Sequence, residues 1–317
     1  MEYNSLRSIQ TLQVAPDTQL PLHNFIDAII LQQLNLLPLR GFLIRADNRI
    51  CSKSNIHHLI IMQAQLNIGL RAAREGAIAL VRSFDRLDRV KANSDSIQQQ
   101  LSSTRQDIET VMLDVLTKAY PKHGYLSATT DLTKNGSAET VWLLSPLIGV
   151  ENFLRGSPGI LLGLSCRVRG QMVLAVFIDP LLNEEFTASR GNGASLNGRR
   201  IRVSNRSELE DGLIGVAYNG TRNQAGGTLD LHSRLLEGCT DLRSSGNEIL
   251  DILYVAAARL DGGFIGKPEP CSLNGAGLIL QEAGGLLSDA NGDPTLKGNT
   301  LVFGNPKCFK QLLRLLG

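Results

Sequence analysis

The stretch from Trp142 to Phe153, Trp-Leu-Leu-Ser-Pro-Leu-Ile-Gly-Val-Glu-Asn-Phe, constrains this chain more than any other. An apolar run over Val141 to Leu144 suits a buried strand. It runs into Pro146, which lacks a backbone donor, and then Gly149, which accepts backbone angles closed to other residues. The strand therefore ends in a sharp turn over Ser145 to Val150, and its neighbours must supply a sheet for it to join.

The flanking sequence supplies one. Leu161 to Val168 and Met172 to Phe177 form a hairpin by composition, joined by Arg169-Gly170-Gln171, and Glu185 to Ser189 reads as a further strand. Gly191-Asn192-Gly193 and Asn197-Gly198 provide the positive-φ residues of tight turns. Their spacing is wrong for a nucleotide loop, and no long helix follows them.

Upstream, Leu66, Leu70, Ala73, Ala77, Leu80, Phe84 and Leu87 recur at three- and four-residue steps, which predicts a long amphipathic helix beginning at Met62. A polar loop, Ala92 to Thr104, precedes a second helix carrying Ile108, Val111, Met112, Val115 and Ala119 and ending before Pro121. Downstream, strands at Leu213 to Ala217, Gly263 to Ile265 and Thr300 to Phe303 alternate with helices at Leu229 to Leu236, Ile249 to Leu260, Leu273 to Glu282 and Pro306 to Leu315. This alternation predicts an α/β protein of packed layers. Residues 1–61 show no sustained period and read as a poorly patterned extension, with Met62 the natural beginning of a domain over 62–317, divided into halves 62–205 and 206–317.

Thirty-two basic against thirty acidic residues single out neither nucleic acid nor a membrane surface as a partner. The apolar segment Ala28-Ile29-Ile30-Leu31 runs at once into Gln32-Gln33, far short of the roughly 20 residues that span a bilayer. The five cysteines are widely spaced with no Cys-x-x-Cys pair, so they read as thiols of a cytoplasmic protein.

From about Leu66 to Leu315 the chain resembles the inositol monophosphatase family, and within it the bacterial SuhB-type subgroup. The resemblance is carried by Leu66-Asn67-Ile68 with Arg71-Ala72-Ala73-Arg74, by Asp179-Pro180 with Asn183-Glu184, and by Phe186-Thr187-Ala188 through Arg190-Gly191. It continues in Leu196-Asn197-Gly198, Tyr254-Val255-Ala256-Ala257 with Arg259, Asp261-Gly262, Glu282-Ala283-Gly284-Gly285 and Gly304-Asn305-Pro306. It implies a layered α/β/α/β/α sandwich of the sugar phosphatase type, commonly a homodimer, and Mg²⁺-dependent hydrolysis of phosphate monoesters.

The chain departs from the family where the metal is held. Ala128-Thr129 stands in place of a paired-glutamate motif, and Ser145-Pro146-Leu147-Ile148-Gly149-Val150 in place of Asp-Pro-Ile/Leu-Asp-Gly-Thr. Ser145 and Ile148 thus replace two aspartates and Val150 the threonine, while Leu147 retains only its backbone carbonyl. Cys271-Ser272 replaces Trp-Asp. Arg105 aligns with an aspartate in the loop before the second helix. On the substrate side Ile265 aligns with a glutamate, and Asn247-Glu248 follows Arg243-Ser244-Ser245-Gly246 where small residues are usual. The family's metal positions are therefore Thr129, Ser145, Leu147, Ile148 and Ser272, with no metal and no intact catalytic residue expected. The substrate-side positions are Arg105, Gly149, Gly246, Asn247 and Glu248.

The replacements suit folding better than chemistry. Ser272 is placed as a helix N-cap, Ile148 and Val150 fill space with apolar volume, and neutral oxygens hold Mg²⁺ poorly. His123 and His232 lack companions for a metal site or triad, and Ser145 lacks the glycines of a nucleophile elbow. The resulting reading is a catalytically degenerate family member, a dimerising, protein-binding or regulatory scaffold. The SuhB resemblance implies association with transcription antitermination through protein contacts, with nucleic acid involved at most indirectly. Two alternatives stand beside it. One is a Mg²⁺-dependent phosphomonoesterase acting on inositol monophosphate or a related sugar phosphate, with Asp107, Glu109 or Glu151 as ligands. The other is a non-hydrolytic phosphate-ester binder using Arg105 and the backbone N–H groups after Gly149.

Overall fold

The two long N-terminal helices follow from their buried stripes. Helix α1 (Lys53–Phe84) buries Ala72, Ala73, Ala77 and Leu80, and helix α2 (Ser94–Ala119) buries Leu101, Ile108, Met112 and Leu116. The computed structural model describes residues 53–87, 94–127, 132–218, 226–266, 268, 270–294, 296 and 298–316. Two sequence boundaries are corrected. Helix α1 starts at Lys53 rather than Met62, and the predicted loop over Ala92 to Thr104 is helical from Ser94. Leu101 and Thr104 lie seven and four positions before Ile108 and are buried with it, so tertiary packing carries the helical stripe through a polar segment.

Strands β1 (Gly124–Ser127), β2 (Leu132–Lys134), β3 (Thr140–Ile148), β4 (Leu161–Val168), β5 (Gln171–Asp179), β6 (Glu184–Ser189), β7 (Gly193–Leu196) and β8 (Arg199–Ile201) form one sheet in the order β2-β1-β3-β4-β5-β6-β7-β8. Only β1 and β3 pair in parallel. The short helix α3 (Val150–Arg155) follows β3 directly. From β3 onward the sheet is an antiparallel meander whose turns use the residues marked in the sequence: Arg169 and Gly170, then Asn197 and Gly198, have positive φ.

A second sheet, in the order β10-β9-β11-β13-β12, is built from β9 (Leu213–Tyr218), β10 (Asp241–Arg243), β11 (Gly262–Gly266), β12 (Leu286–Asp289) and β13 (Thr300–Gly304). Its helices are α4 (Gly226–Gly238), α5 (Glu248–Ala256), α6 (Pro270–Glu282) and α7 (Pro306–Leu316). Helix α5 ends at Ala256, short of the predicted Leu260, because Ala258 turns to φ 59°.

Three cores separate these elements into five layers. The first joins α1 and α2 to one face of the large sheet through Trp142, Leu144, Leu164 and Cys166. The second lies between the sheets, where α5 and α6 meet Phe177, Phe186, Ile265 and Phe303. The third packs Leu235 of α4 and Cys308, Phe309 and Leu312 of α7 on the outer face of the small sheet. An α/β/α/β/α sandwich results, within a compact unit that runs from Leu59. Trp142, fully buried, anchors the first core: a Cβ at Gly69 of α1 would stand 3.1 Å from its ring. Losing such a ring typically costs about 3–5 kcal/mol.

Candidate functional site

Strand β3 carries the key residues further than the sequence suggests. It runs through Ile148, with a bulge between Ser145, opposite Gly163, and Ile148, opposite Leu161. The turn predicted over Ser145 to Val150 is therefore a bulged strand end followed by one turning residue, Gly149. Pro146 falls within the bulge, where ladder pairing is already interrupted and its missing N–H is tolerated. Gly149 has φ 83°, and a Cβ there would stand 2.6 Å from the carbonyl oxygen of Gly159. Only glycine allows that approach.

The bulge aims Ser145 at α6. The Ser272 hydroxyl donates to Ser145 Oγ at 2.9 Å, with the two residues 8% and 5% exposed. This contact joins positions 127 apart in the chain. It also corrects the N-cap reading of Ser272: α6 begins at Pro270, where a missing donor does no harm, and Ser272 lies inside the first turn. Around the pair, Leu147 is buried in the first core, Val150 packs against that core, and Ile148 packs against the second. The positions that the resemblance assigns to the metal thus present, among the described residues, two bonded hydroxyls and hydrocarbon. Thr129, with Ala128, lies outside the described residues.

The substrate-side positions are held by backbone chemistry. Asn247 is the N-cap of α5: its Oδ1 accepts from the N–H groups of Ile249 (3.1 Å) and Leu250 (3.2 Å), and its Nδ2 donates to the Gly159 carbonyl (3.0 Å). Glu248 follows in the first turn, where a negative charge suits the helix dipole. Asn152, not singled out from the sequence, donates to the carbonyls of Gly159 (3.1 Å) and Ser245 (3.0 Å). The Cβ that Gly246 lacks would stand 2.9 Å from its Oδ1. Asn152 and Asn247 therefore lace the start of α3 to the start of α5. Arg105 lies within α2 rather than in a loop before it, its Nε buried with no partner among the described residues, and no hydrogen bond of this cluster reaches it.

The acidic residues considered as substitute ligands are otherwise occupied. Glu151 is exposed and pairs with Arg155 at 3.5 Å, Asp107 is exposed, and Glu109 is buried with a partner of its own. His123 is not isolated: Nδ1 accepts from Trp142 Nε1 at 3.0 Å while the ring stacks on Tyr120, and burial lowers its pKa. One buried acid had no sequence signal. Asp251 in α5 is fully buried, and neither carboxylate oxygen has a hydrogen-bond partner. Burial raises its pKa to about 7, opposed first by Ser245 and then by Arg243 and reinforced by Glu248.

Architecture and turn together define a sugar-phosphatase-type sandwich, with a bulged strand end facing a helix start through the Ser272–Ser145 contact. The chain belongs to the inositol monophosphatase family, whose model matches residues 62–315. It is 37% identical over 258 residues to the Nus factor SuhB of Pseudomonas aeruginosa, covering 80% of this chain and 95% of that protein. With the Nus factor SuhB of Escherichia coli it shares 32% over 255 residues, with the same coverage. Among solved structures, the extragenic suppressor protein suhB of Bartonella henselae superposes with a TM-score of 0.72 at 28% identity, over 80% of this chain and 98% of that one. The inositol monophosphatase of Anabaena, at 24% identity and a TM-score of 0.70, shares the fold over 80% of this chain and 95% of its own.

The donor set described at this turn does not suit the Mg²⁺ ion associated with the family. Mg²⁺ takes oxygen ligands in an octahedron at about 2.0–2.1 Å, usually with carboxylates among them. Ser145 and Ser272 offer neutral oxygens already bonded to each other, and the side chains of Leu147, Ile148 and Val150 offer none. Among the described residues no group of three or more His, Cys, Asp or Glu is placed to hold a metal ion.

Proposed function

We propose that this protein is a catalytically degenerate inositol monophosphatase relative that works as a dimeric, protein-binding scaffold of the cytoplasm. The observation that carries this reading is the Ser272–Ser145 hydrogen bond, which puts a neutral, self-satisfied pair where the resemblance places two metal-binding aspartates. Metal-assisted hydrolysis needs the ion to activate a water and to neutralise the leaving oxygen. A hydroxyl pair packed among Leu147, Ile148 and Val150 supports neither role, whereas it serves folding well. Relatives bearing the name Nus factor SuhB support a place in transcription antitermination through protein contacts. Among the described residues no helix is long and apolar enough to cross a membrane, in keeping with a partner met in solution.

Purified full-length protein assayed with inositol monophosphate across a Mg²⁺ titration tests the catalytic half of the proposal. The expected result is no release of phosphate above a no-protein control at any Mg²⁺ concentration. Turnover that rises with Mg²⁺ and stops on chelation overturns the reading in favour of a phosphomonoesterase. Analytical ultracentrifugation checks the dimer, for which a single monomeric species is the contrary result.

A further inference from the structure

Along α6 from the Ser272–Ser145 pair, a cavity of about 270 Å³ opens between the β4–β5 hairpin, the second half of α6 and the segment after β12. Its polar wall comes from Arg167, Arg190, Asn274 and Gln281, and among the described residues no Asp or Glu lines it. The two arginines converge on one residue. Arg167 is the ladder partner of Met172, and Arg190 Nε donates to the Met172 carbonyl at 2.7 Å. That bond anchors the Arg190 fork. Among the described residues Arg167 has no hydrogen-bond or ion-pair partner, although other arginines that meet this sheet do: Arg169 with Glu139, and Arg74 of α1 and Arg259 after α5 with Glu185 and Glu184 of β6.

Two guanidinium groups that line one cavity, with no carboxylate among its described lining, offer an anion two positive partners. The planar fork of arginine matches the oxygens of a phosphate two at a time. Asn274 and Gln281, on the exposed side of α6, are placed to donate to oxygens that the arginines leave unmet. Leu278 and Leu287 give any organic portion an apolar wall, and the cavity lies just below the roughly 300–1,000 Å³ typical of drug-sized ligands, so that portion is small.

The geometry points to a binding site for phosphate or a small phosphate monoester, held by Arg167 and Arg190. The site is set off from the former metal turn: Leu143, which lines it, precedes Ser145 by two residues on β3, about 7 Å along the strand. It is independent of whether that turn retains chemistry.

Isothermal titration of the full chain with inorganic phosphate, with acetate in parallel, tests the assignment. The wild-type protein is expected to bind phosphate saturably with a Kd of about 1 mM or tighter. Arg167→Gln should weaken binding at least tenfold while the far-ultraviolet dichroism stays native. Gln281→Leu, altered at an exposed helix position, should weaken it by a smaller factor and serves as the second variant if Arg167→Gln does not fold. Absence of saturable phosphate binding overturns the proposal, as does equal affinity in both variants. Acetate bound as tightly as phosphate overturns the ligand class. Binding abolished by Ser145→Ala but retained by Arg167→Gln assigns the anion to the turn and overturns the site.

Discussion

The turn at the end of β3 and the junction around Asp261 deal with buried polar chemistry in opposite ways. At the turn, nearly buried positions carry hydroxyls bonded to each other. At the junction a carboxylate is retained at 7% exposure: Asp261 accepts from the Ser204 hydroxyl at 2.5 Å and the Leu213 N–H at 2.9 Å, with Arg206 Nε at 3.3 Å. A buried charge persists only where its partners are supplied. Here the chain supplies them to Asp261, whereas acids at the turn would depend on an ion from solution. Asp251 is the intermediate case, a buried acid with no hydrogen-bond partner and a pKa raised to about 7.

The strongest way to break this comparison is to restore acids at the turn. In the double variant Ser145→Asp, Ser272→Asp, two carboxylates would occupy positions whose hydroxyls now sit 2.9 Å apart. Without Mg²⁺ the loss of stability in urea should be about 3–5 kcal/mol. Wild-type stability in that variant would show that the turn has polar partners for charge after all. Recovery on adding Mg²⁺ would show that the backbone geometry still accepts the ion.

Removing the satisfied carboxylate should cost somewhat less. Asp261→Ala leaves the Leu213 N–H and the Ser204 hydroxyl without their acceptor, and a loss of about 2–3 kcal/mol is expected by denaturant unfolding. A neutral result would mean that Asp261 is no better supported than Asp251.

The Asp251 case gives a pH signature. Its folded pKa lies above the unfolded value, so the native state holds the extra proton between about pH 4 and 7. That advantage is complete below the unfolded pKa and is lost as pH rises through about 7. Asp251→Asn removes the titration. Its stability relative to wild type should therefore improve from pH 4 to pH 8, by on the order of 4 kcal/mol, and parallel pH profiles would place a partner beside Asp251.

The smallest effect is expected at the lacing. Asn247→Ala removes the α5 cap and the bond to Gly159, for about 1–2 kcal/mol in thermal unfolding. A much larger loss would show that α3 and α5 dock only through this side chain.

Much of the architecture was legible in the sequence. The strand ending at Pro146 and Gly149, the Asn-Gly and Gly-Asn-Gly turns and the helical stripes depend on local backbone preferences and short periods, and the structure realises them with shifts at their ends. The loop over Ala92 to Thr104 was misplaced because its helical character comes from packing rather than from propensity. That Ser145, Ile148 and Ser272 stand at acid positions of the family is what the resemblance implies. Less legible was what those residues do. Ser272 was expected as an N-cap, but Pro270 opens α6 and Ser272 lies inside its first turn, whereas Asn247 is the side-chain N-cap of α5. Asn152 and Asp251 carried no pattern, because their roles arise from residues about ninety positions away or from burial alone.

By itself the sequence determined the family, the alternation of helices and strands, the turn glycines and the absence of carboxylates at Ser145, Ile148 and Ser272, all properties of residue identity and short spacing. Only the tertiary structure decided that Ser145 and Ser272 bond to each other, that Asn247 caps α5 while holding Gly159, and that Arg167 and Arg190 converge on Met172. Each of these contacts joins segments distant in the chain or carried on different strands. Their geometry is set by the bulge in β3, the register of the sheet and the docking of α6 on it, which no local pattern encodes.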